Sequence, residues 1–209
     1  MKHRLLFLLF LVTVLALTTQ AQYDYNQAGV FNGTSSYVAI PTSGEISPTS
    51  AMTIEAWIWP SHLPTGNGYG VVGKNFLTSY SLGFSPTGTL YFIPNGSGQL
   101  NQRATTVLDT TRWTHVAVTY DGSTTALYLN GALDTSVTTL TGAIAVNSDS
   151  LYIGAEVGPN YFFPGKIDEV RLWNVARTGA EIARDRFIRS CRAASPAALR
   201  TADGGAHAG

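Results

Sequence analysis

Three acidic residues and one histidine stand where they could do chemistry. Glu55 lies in Met52-Thr53-Ile54-Glu55-Ala56-Trp57-Ile58-Trp59, Asp168 and Glu169 lie in Gly165-Lys166-Ile167-Asp168-Glu169-Val170-Arg171-Leu172-Trp173-Asn174, and His115 follows Trp113-Thr114. Glycosidic hydrolysis needs two carboxyls facing one another about 5–10 Å apart. Glu55 stands alone on its segment, and adjacent Asp168 and Glu169 point to opposite faces of a strand. A lone histidine can act as a general base, but His115 has no nucleophile beside it and reads as structural. The chain contains neither Gly-x-Ser-x-Gly nor His-Glu-x-x-His. Gly66-Asn67-Gly68-Tyr69-Gly70 opens no helix, so it offers no phosphate cradle. Asp168 is a carboxylate beside the bulk of a core strand, and a buried charge needs an ion pair, hydrogen bonds or a metal. Arg171, Lys166 and backbone N–H groups could supply the first two.

The other accessible chemistry is recognition. Sugar rings lie on flat aromatics while nearby polar groups fix their hydroxyls. Trp57 and Trp59 share a strand face with Glu55. Trp57 reads as sheet core, whereas Trp59, beside Pro60 at a strand end, is more open; Trp113 and Trp173 read as core. Loops are better candidates: Tyr69 in the glycine-rich stretch, Asn95 to Asn101 with Gln99, and Asn160-Tyr161-Phe162-Phe163. Trp59, Tyr69, Gln99, Tyr161 and Phe162 are the candidate ligand-binding residues. The alternative for the last loop is that it folds over the edge of the domain.

The elements that must hold these residues are short. Period-2 alternation predicts strands at Val30-Phe31, Tyr37–Ile40, Met52–Trp59, Gly70–Lys74, Tyr80–Phe84, Leu90–Pro94, Ala104–Leu108, Trp113–Asp121, Thr125–Asn130, Leu133–Val137, Leu151–Gly154 and Lys166–Asn174. Asp121-Gly122-Ser123-Thr124 and Asn130-Gly131 are hairpin turns. Thr178-Gly179-Ala180-Glu181 is a capping box, so one short helix should run from about Gly179 to Ile188. A dozen strands with no repeat of solenoid or propeller length mean a sandwich or barrel.

The totals fit a secreted all-β domain. Charged residues make up 12% of the 209, about half the usual share. Residues 1–21 read as a cleavable signal peptide: Lys2 and Arg4 precede the apolar run Leu5 to Leu17, too short to span a membrane, and Thr19-Gln20-Ala21 is the cleavage site. No transmembrane segment follows. Residues 22–183 hold 6 basic and 11 acidic groups, which argues against nucleic acid as partner. The single cysteine, Cys191, allows no internal disulfide and reads as incidental. Residues 22–190 form the folded domain. Residues 191–209 are Ala-, Arg- and Gly-rich and read as a disordered tail, of a composition that fits a truncated or frame-shifted end.

Five segments together resemble the laminin-G-like, concanavalin A-like jelly-roll family. They are Val30-Phe31-Asn32-Gly33 with Ser36-Tyr37-Val38, Met52 to Ile58, Trp113 to Gly122, Leu127-Tyr128-Leu129-Asn130-Gly131, and Gly165 to Asn174. The resemblance implies two antiparallel sheets stacked as a jelly-roll sandwich with a short C-terminal helix, and ligands on the concave face or at the loop rim. It also implies a structural Ca²⁺ held by Asp168, the Asn32-Gly33 turn and carbonyls of the Ser43-Gly44 loop. Asn32 stands where relatives often carry Asp, which removes one ligand charge. The function implied is a secreted, non-catalytic binding module for carbohydrate or a surface glycoprotein. One alternative is a protein-binding adhesion module. The other is a jelly-roll glycoside hydrolase, whose Glu-x-Asp-x-x-Glu spacing does not occur here.

Overall fold

The computed structural model describes residues 28–96, 103–156, 160–187 and 200–201. The expected signal peptide, Gln99, Cys191 and most of the tail lie outside these. The strands are β1 (Gly29–Asn32), β2 (Val38–Ile40), β3 (Met52–Pro60), β4 (Tyr69–Gly73), β5 (Ser81–Phe84), β6 (Thr89–Ile93), β7 (Arg103–Val107), β8 (Thr114–Tyr120), β9 (Thr125–Leu129), β10 (Ala132–Val137), β11 (Leu151–Ile153), β12 (Pro164–Trp173) and β13 (Arg200–Thr201). Helix α1 (Gly179–Asp185) follows β12 and carries the expected capping box, with Thr178 and Glu181 satisfying each other's backbone N–H groups.

Two sheets stack face to face. The first has the order β1-β12-β3-β8-β9-β10, and the second β2-β11-β4-β5-β6-β7. All pairings on these paths are antiparallel; β13 adds to β12 in parallel through Arg171↔Arg200 and Leu172↔Thr201. Those two tail residues are thus paired, where the composition of 191–209 predicts disorder.

Alternation along β3 places Met52, Ile54, Ala56 and Ile58 in the core between the sheets, against Leu82, Phe84, Leu90 and Phe92 of the second sheet. Each such large apolar side chain contributes about 1.5–3 kcal/mol of burial. Thr53, Glu55, Trp57 and Trp59 face outward from the first sheet, as the alternation predicts. That outer face is covered in turn by α1, whose Ile182 packs on Ala117, Ala126 and Tyr128.

Simple alternation fails on β12. Asp168 pairs with Trp57, but the next register partner is Arg171 opposite Glu55, so three steps on β12 match two on β3. Glu169 sits at φ 49° as the bulged residue. The extra residue reverses the facing, so Ile167 and Leu172, five positions apart, both enter the core. A strict period of two would have put them on opposite faces.

Candidate functional site

Two of the expected calcium donors, Asn32 and Asp168, stand apart along the β1–β12 ladder. Antiparallel register places Asn32 opposite Pro164 and Gly29 opposite Ile167. Asp168 is therefore four strand positions beyond Asn32's partner, roughly 13 Å along the strand. Asn32 turns its Oδ1 onto the N–H groups of Thr34, Ser35 and Ser36, at 2.9–3.0 Å. Asp168 Oδ1 accepts the N–H of Glu169 at 2.8 Å, which is the backbone option for this residue. Gly33, at φ 75°, packs on Pro164, and the Gly44 carbonyl accepts the Ser47 N–H that closes a 3₁₀ turn. Asn32, Asp168 and Gly44 thus each engage their own local backbone. Glu169 forms an ion pair with Arg171 at 2.8 Å.

The tryptophans of β3 are committed to the fold. Trp57 Nε1 donates to the Arg186 carbonyl at 2.8 Å, and its ring meets His115 edge-on. Trp59 Nε1 donates to the Thr110 carbonyl at 2.8 Å, with Trp113 edge-on and the Lys166 ammonium 5.5 Å from the ring centre. Both are half-buried on the first sheet. Glu55, fully buried, binds Arg177 at 2.7 Å and lies 3.3 Å from His115 Nε2. Arg177 continues to Asp185 on α1 and stacks 4.0 Å from the Trp173 ring centre. Burial pushes the Glu55 carboxyl up, but His115 and Arg177 outweigh it and hold the group below its ordinary range. This buried network binds α1 to the sheet.

The second sheet is different. Leu82 and Phe84 point into the core, so Ser81 and Gly83 lie on the outer face, with Tyr91 directly opposite Gly83. After β11 the chain crosses this face. The Gly154 N–H donates to the Val71 carbonyl at 2.9 Å, and the Gly70 N–H donates to Tyr161 O at 2.7 Å. Between these anchors Glu156 is pressed onto the sheet, only 2% exposed. Its Oε1 accepts hydrogen bonds from Ser81 Oγ and, at 2.6 Å, from Tyr91 OH. Space for it comes from missing side chains. A Cβ on Gly70 would strike Glu156 Cγ and the Ala155 backbone; one on Gly83 would meet Tyr69 O at 2.5 Å, Tyr91 OH at 2.7 Å and Glu156 Oε1 at 2.9 Å. Burial raises the Glu156 carboxyl to about 7, against the lowering effect of its two hydroxyl donors.

Glu156 forms the floor of an open cleft of about 180 Å³, lined also by Asn67, Gly68, Phe76, Phe84, Pro86, Tyr91 and Tyr161. Tyr161 is 37% exposed and held at φ 54°, its ring edge-on to Phe76 at 5.7 Å. A non-glycine residue held there needs its surroundings to enforce the conformation, here the Gly70 hydrogen bond and the Phe76 contact. Of the candidate ligand-binding residues that the structure describes, Tyr161 lines this cleft and Trp59, Tyr69 and Phe162 do not. Phe162 instead packs on Tyr37 at 6.3 Å between ring centres, and Tyr69 stands edge-on to His62 at 5.7 Å. Glu156 itself is absent from the sequence reading. Its signal was a single acid in the largely apolar and aromatic run from Leu151 to Pro164, facing strands with glycine at 70 and 83. We expect Gly83→Ala to cost about 1–3 kcal/mol by overpacking Glu156 against the Tyr69 backbone, read as a lowered midpoint in urea.

A profile of the concanavalin A-like lectin/glucanases superfamily matches residues 32–183. Over 92 residues the chain is 36% identical to mouse (Mus musculus) pappalysin-1, covering 42% of this chain and 6% of that protein. The chain thus spans a small fraction of that relative's length. A candidate carbohydrate-binding protein from Bacteroides ovatus superposes with a TM-score of 0.61 at 27% identity, over 76% of this chain and 47% of that one. Domain 4 of an extracellular arabinanase from Geobacillus stearothermophilus, solved with arabinotriose, superposes with a TM-score of 0.62 at 23% identity, over 78% of each chain, and shows the same fold.

Proposed function

Because the chain belongs to the concanavalin A-like lectin/glucanases superfamily, we propose that it is a carbohydrate-binding module whose ligand lies in the cleft over Glu156. The observation that carries this reading is Tyr161, a solvent-facing ring fixed in one orientation beside a buried carboxyl. An aromatic held rigid in the open covers a sugar ring at little entropic cost, and a carboxyl below it fixes a hydroxyl. The likeness to the candidate carbohydrate-binding protein of Bacteroides ovatus supports the same reading.

The module acts by binding without turnover. Hydrolysis would need a second carboxyl about 5–10 Å from the first, and Glu156 is the one acid among the described residues of the cleft wall. The apolar run Leu5 to Leu17 supports export, which would place the site among extracellular glycans. Calcium is no part of the proposed site, whose lining offers one carboxylate and one side-chain amide.

The test is a glycan array followed by calorimetry on the best hit. Tyr161→Asn removes the ring while asparagine tolerates the left-handed backbone. We expect it to weaken binding at least about ten-fold with little change in thermal midpoint. A hit whose affinity ignores this substitution would move the site elsewhere, and an array with no hits would end the carbohydrate reading.

A further inference from the structure

We infer that this cleft takes a single neutral sugar residue and turns away carboxylated sugars, with Glu156 as the residue that sets the choice. The inference rests on the carbohydrate reading and goes further, to the class of sugar.

Size gives the first part. About 180 Å³ lies below the roughly 300–1,000 Å³ usual for small-molecule clefts. It suits one ring and its substituents, with the remainder of a glycan passing over Pro86 and Asn67 into solvent; both are exposed. A long run of sugars would need an extended groove with several aromatic steps, and here Tyr161 is the exposed aromatic of the wall.

Charge gives the second part. The lining holds one ionisable acid and two tyrosines, and no lysine, arginine or histidine among the described residues. A uronic or sialic acid carboxylate would enter with no cation to receive it and with Glu156 beneath it. Two carboxylates in one partly dry site repel, and one must then hold a proton. Arg103 lies opposite Tyr91 on β7, two strands away from Gly83, and outside the lining. Sugar hydroxyls meet no such conflict. They donate to an ionised Glu156, and they accept from it when it is protonated. Ser81 and Tyr91 hold Oε1 in place from below, so the carboxyl cannot swing aside to admit a second acid.

The experiment is a glycan array carrying neutral oligosaccharides together with uronic-acid and sialylated glycans, run at pH 8 with the full chain, Tyr161→Asn and Glu156→Gln. We expect neutral hits alone for the native chain, lost in Tyr161→Asn. Glu156→Gln keeps an acceptor oxygen for Ser81 and Tyr91 but removes the charge. The ratio of neutral to acidic affinity should then fall at least ten-fold, measured by calorimetry on a matched neutral and carboxylated pair. Acidic glycans among native hits that vanish in Tyr161→Asn would overturn the inference and leave the carbohydrate reading intact. An unchanged ratio in Glu156→Gln would overturn Glu156 as the selecting residue. An empty array would overturn the carbohydrate reading itself, and this inference with it.

Discussion

Replacing Arg177 with methionine is expected to lower the free energy of unfolding by about 3–5 kcal/mol at pH 7. Methionine keeps an apolar stem over Trp173 but removes the guanidinium that meets Glu55 at 2.7 Å. Glu55 is fully buried, so its carboxylate would be left with His115 as its nearest polar partner, 3.3 Å away. Asp185 is not orphaned to the same degree, because Arg184 still reaches it at 2.9 Å. The loss should depend on pH in a definite sense. Arg177 and His115 hold the Glu55 carboxyl below its ordinary range in the native protein. Without Arg177, burial is opposed by His115 alone and the carboxyl moves up from its native position. The variant therefore recovers part of its stability as pH falls and Glu55 takes up a proton. Urea unfolding at pH 7 and pH 5 would show both effects. Adding Glu55→Leu to Arg177→Met should restore most of the loss, since an apolar pair can replace a buried ion pair at little cost. A single-variant loss under about 1 kcal/mol would mean that α1 is held to the sheet by its apolar contacts, Ile182 on Ala117, Ala126 and Tyr128, and not by this network.

How much was legible in the sequence follows from how far each signal reaches along the chain. Met52 to Trp59 could be divided into inner and outer faces because alternation is local, and the structure keeps that division on both sides. The capping box at Thr178 is equally local. On β12 the same logic fails at Glu169, where one bulged residue reverses the facing of everything after it; the sequence marks no glycine there to signal the left-handed backbone. The Glu55–Arg177 pair joins residues 122 positions apart, so neither neighbourhood announces it. Asn32 and Asp168 were brought together by family likeness, and the β1–β12 register sets them apart.

The cleft shows the same division. The Asn160 to Phe163 loop could be read as a candidate from its aromatics, and one of them, Tyr161, is the exposed ring. Which one could not be read, because it depends on the anchor at Gly70 and on φ at Tyr161. Glu156 was invisible for a related reason. Its environment is built from β5 and β6, about seventy residues earlier in the chain, and from side chains that are absent at Gly70 and Gly83.

That buried acid carries the second large expected effect. The native protein should lose about 3 kcal/mol of stability between pH 4.5 and pH 8, and Glu156→Gln should abolish most of this slope. In the folded chain the carboxyl takes its proton at about 7, against 4.5 for an ordinary glutamate. Between those values the folded state binds more protons than the unfolded one, so unfolding becomes easier as pH rises. The contribution is fully present below pH 4.5 and gone above about 7. Glu55 and Asp185 act in the opposite sense. Both are held below their ordinary values, Asp185 at about 2 by Arg184 and Arg177, so their stabilisation is lost on the acid side. The two windows barely overlap, and the difference between native and Glu156→Gln stability curves isolates this one carboxyl. Chemical denaturation at half-unit steps of pH measures it. A parallel pair of curves would mean that Glu156 is solvated well enough to ionise like a surface acid, and the cleft floor would then be wetter and more accommodating to a charged sugar than a carboxyl 2% exposed and seated on Ser81 and Tyr91 allows.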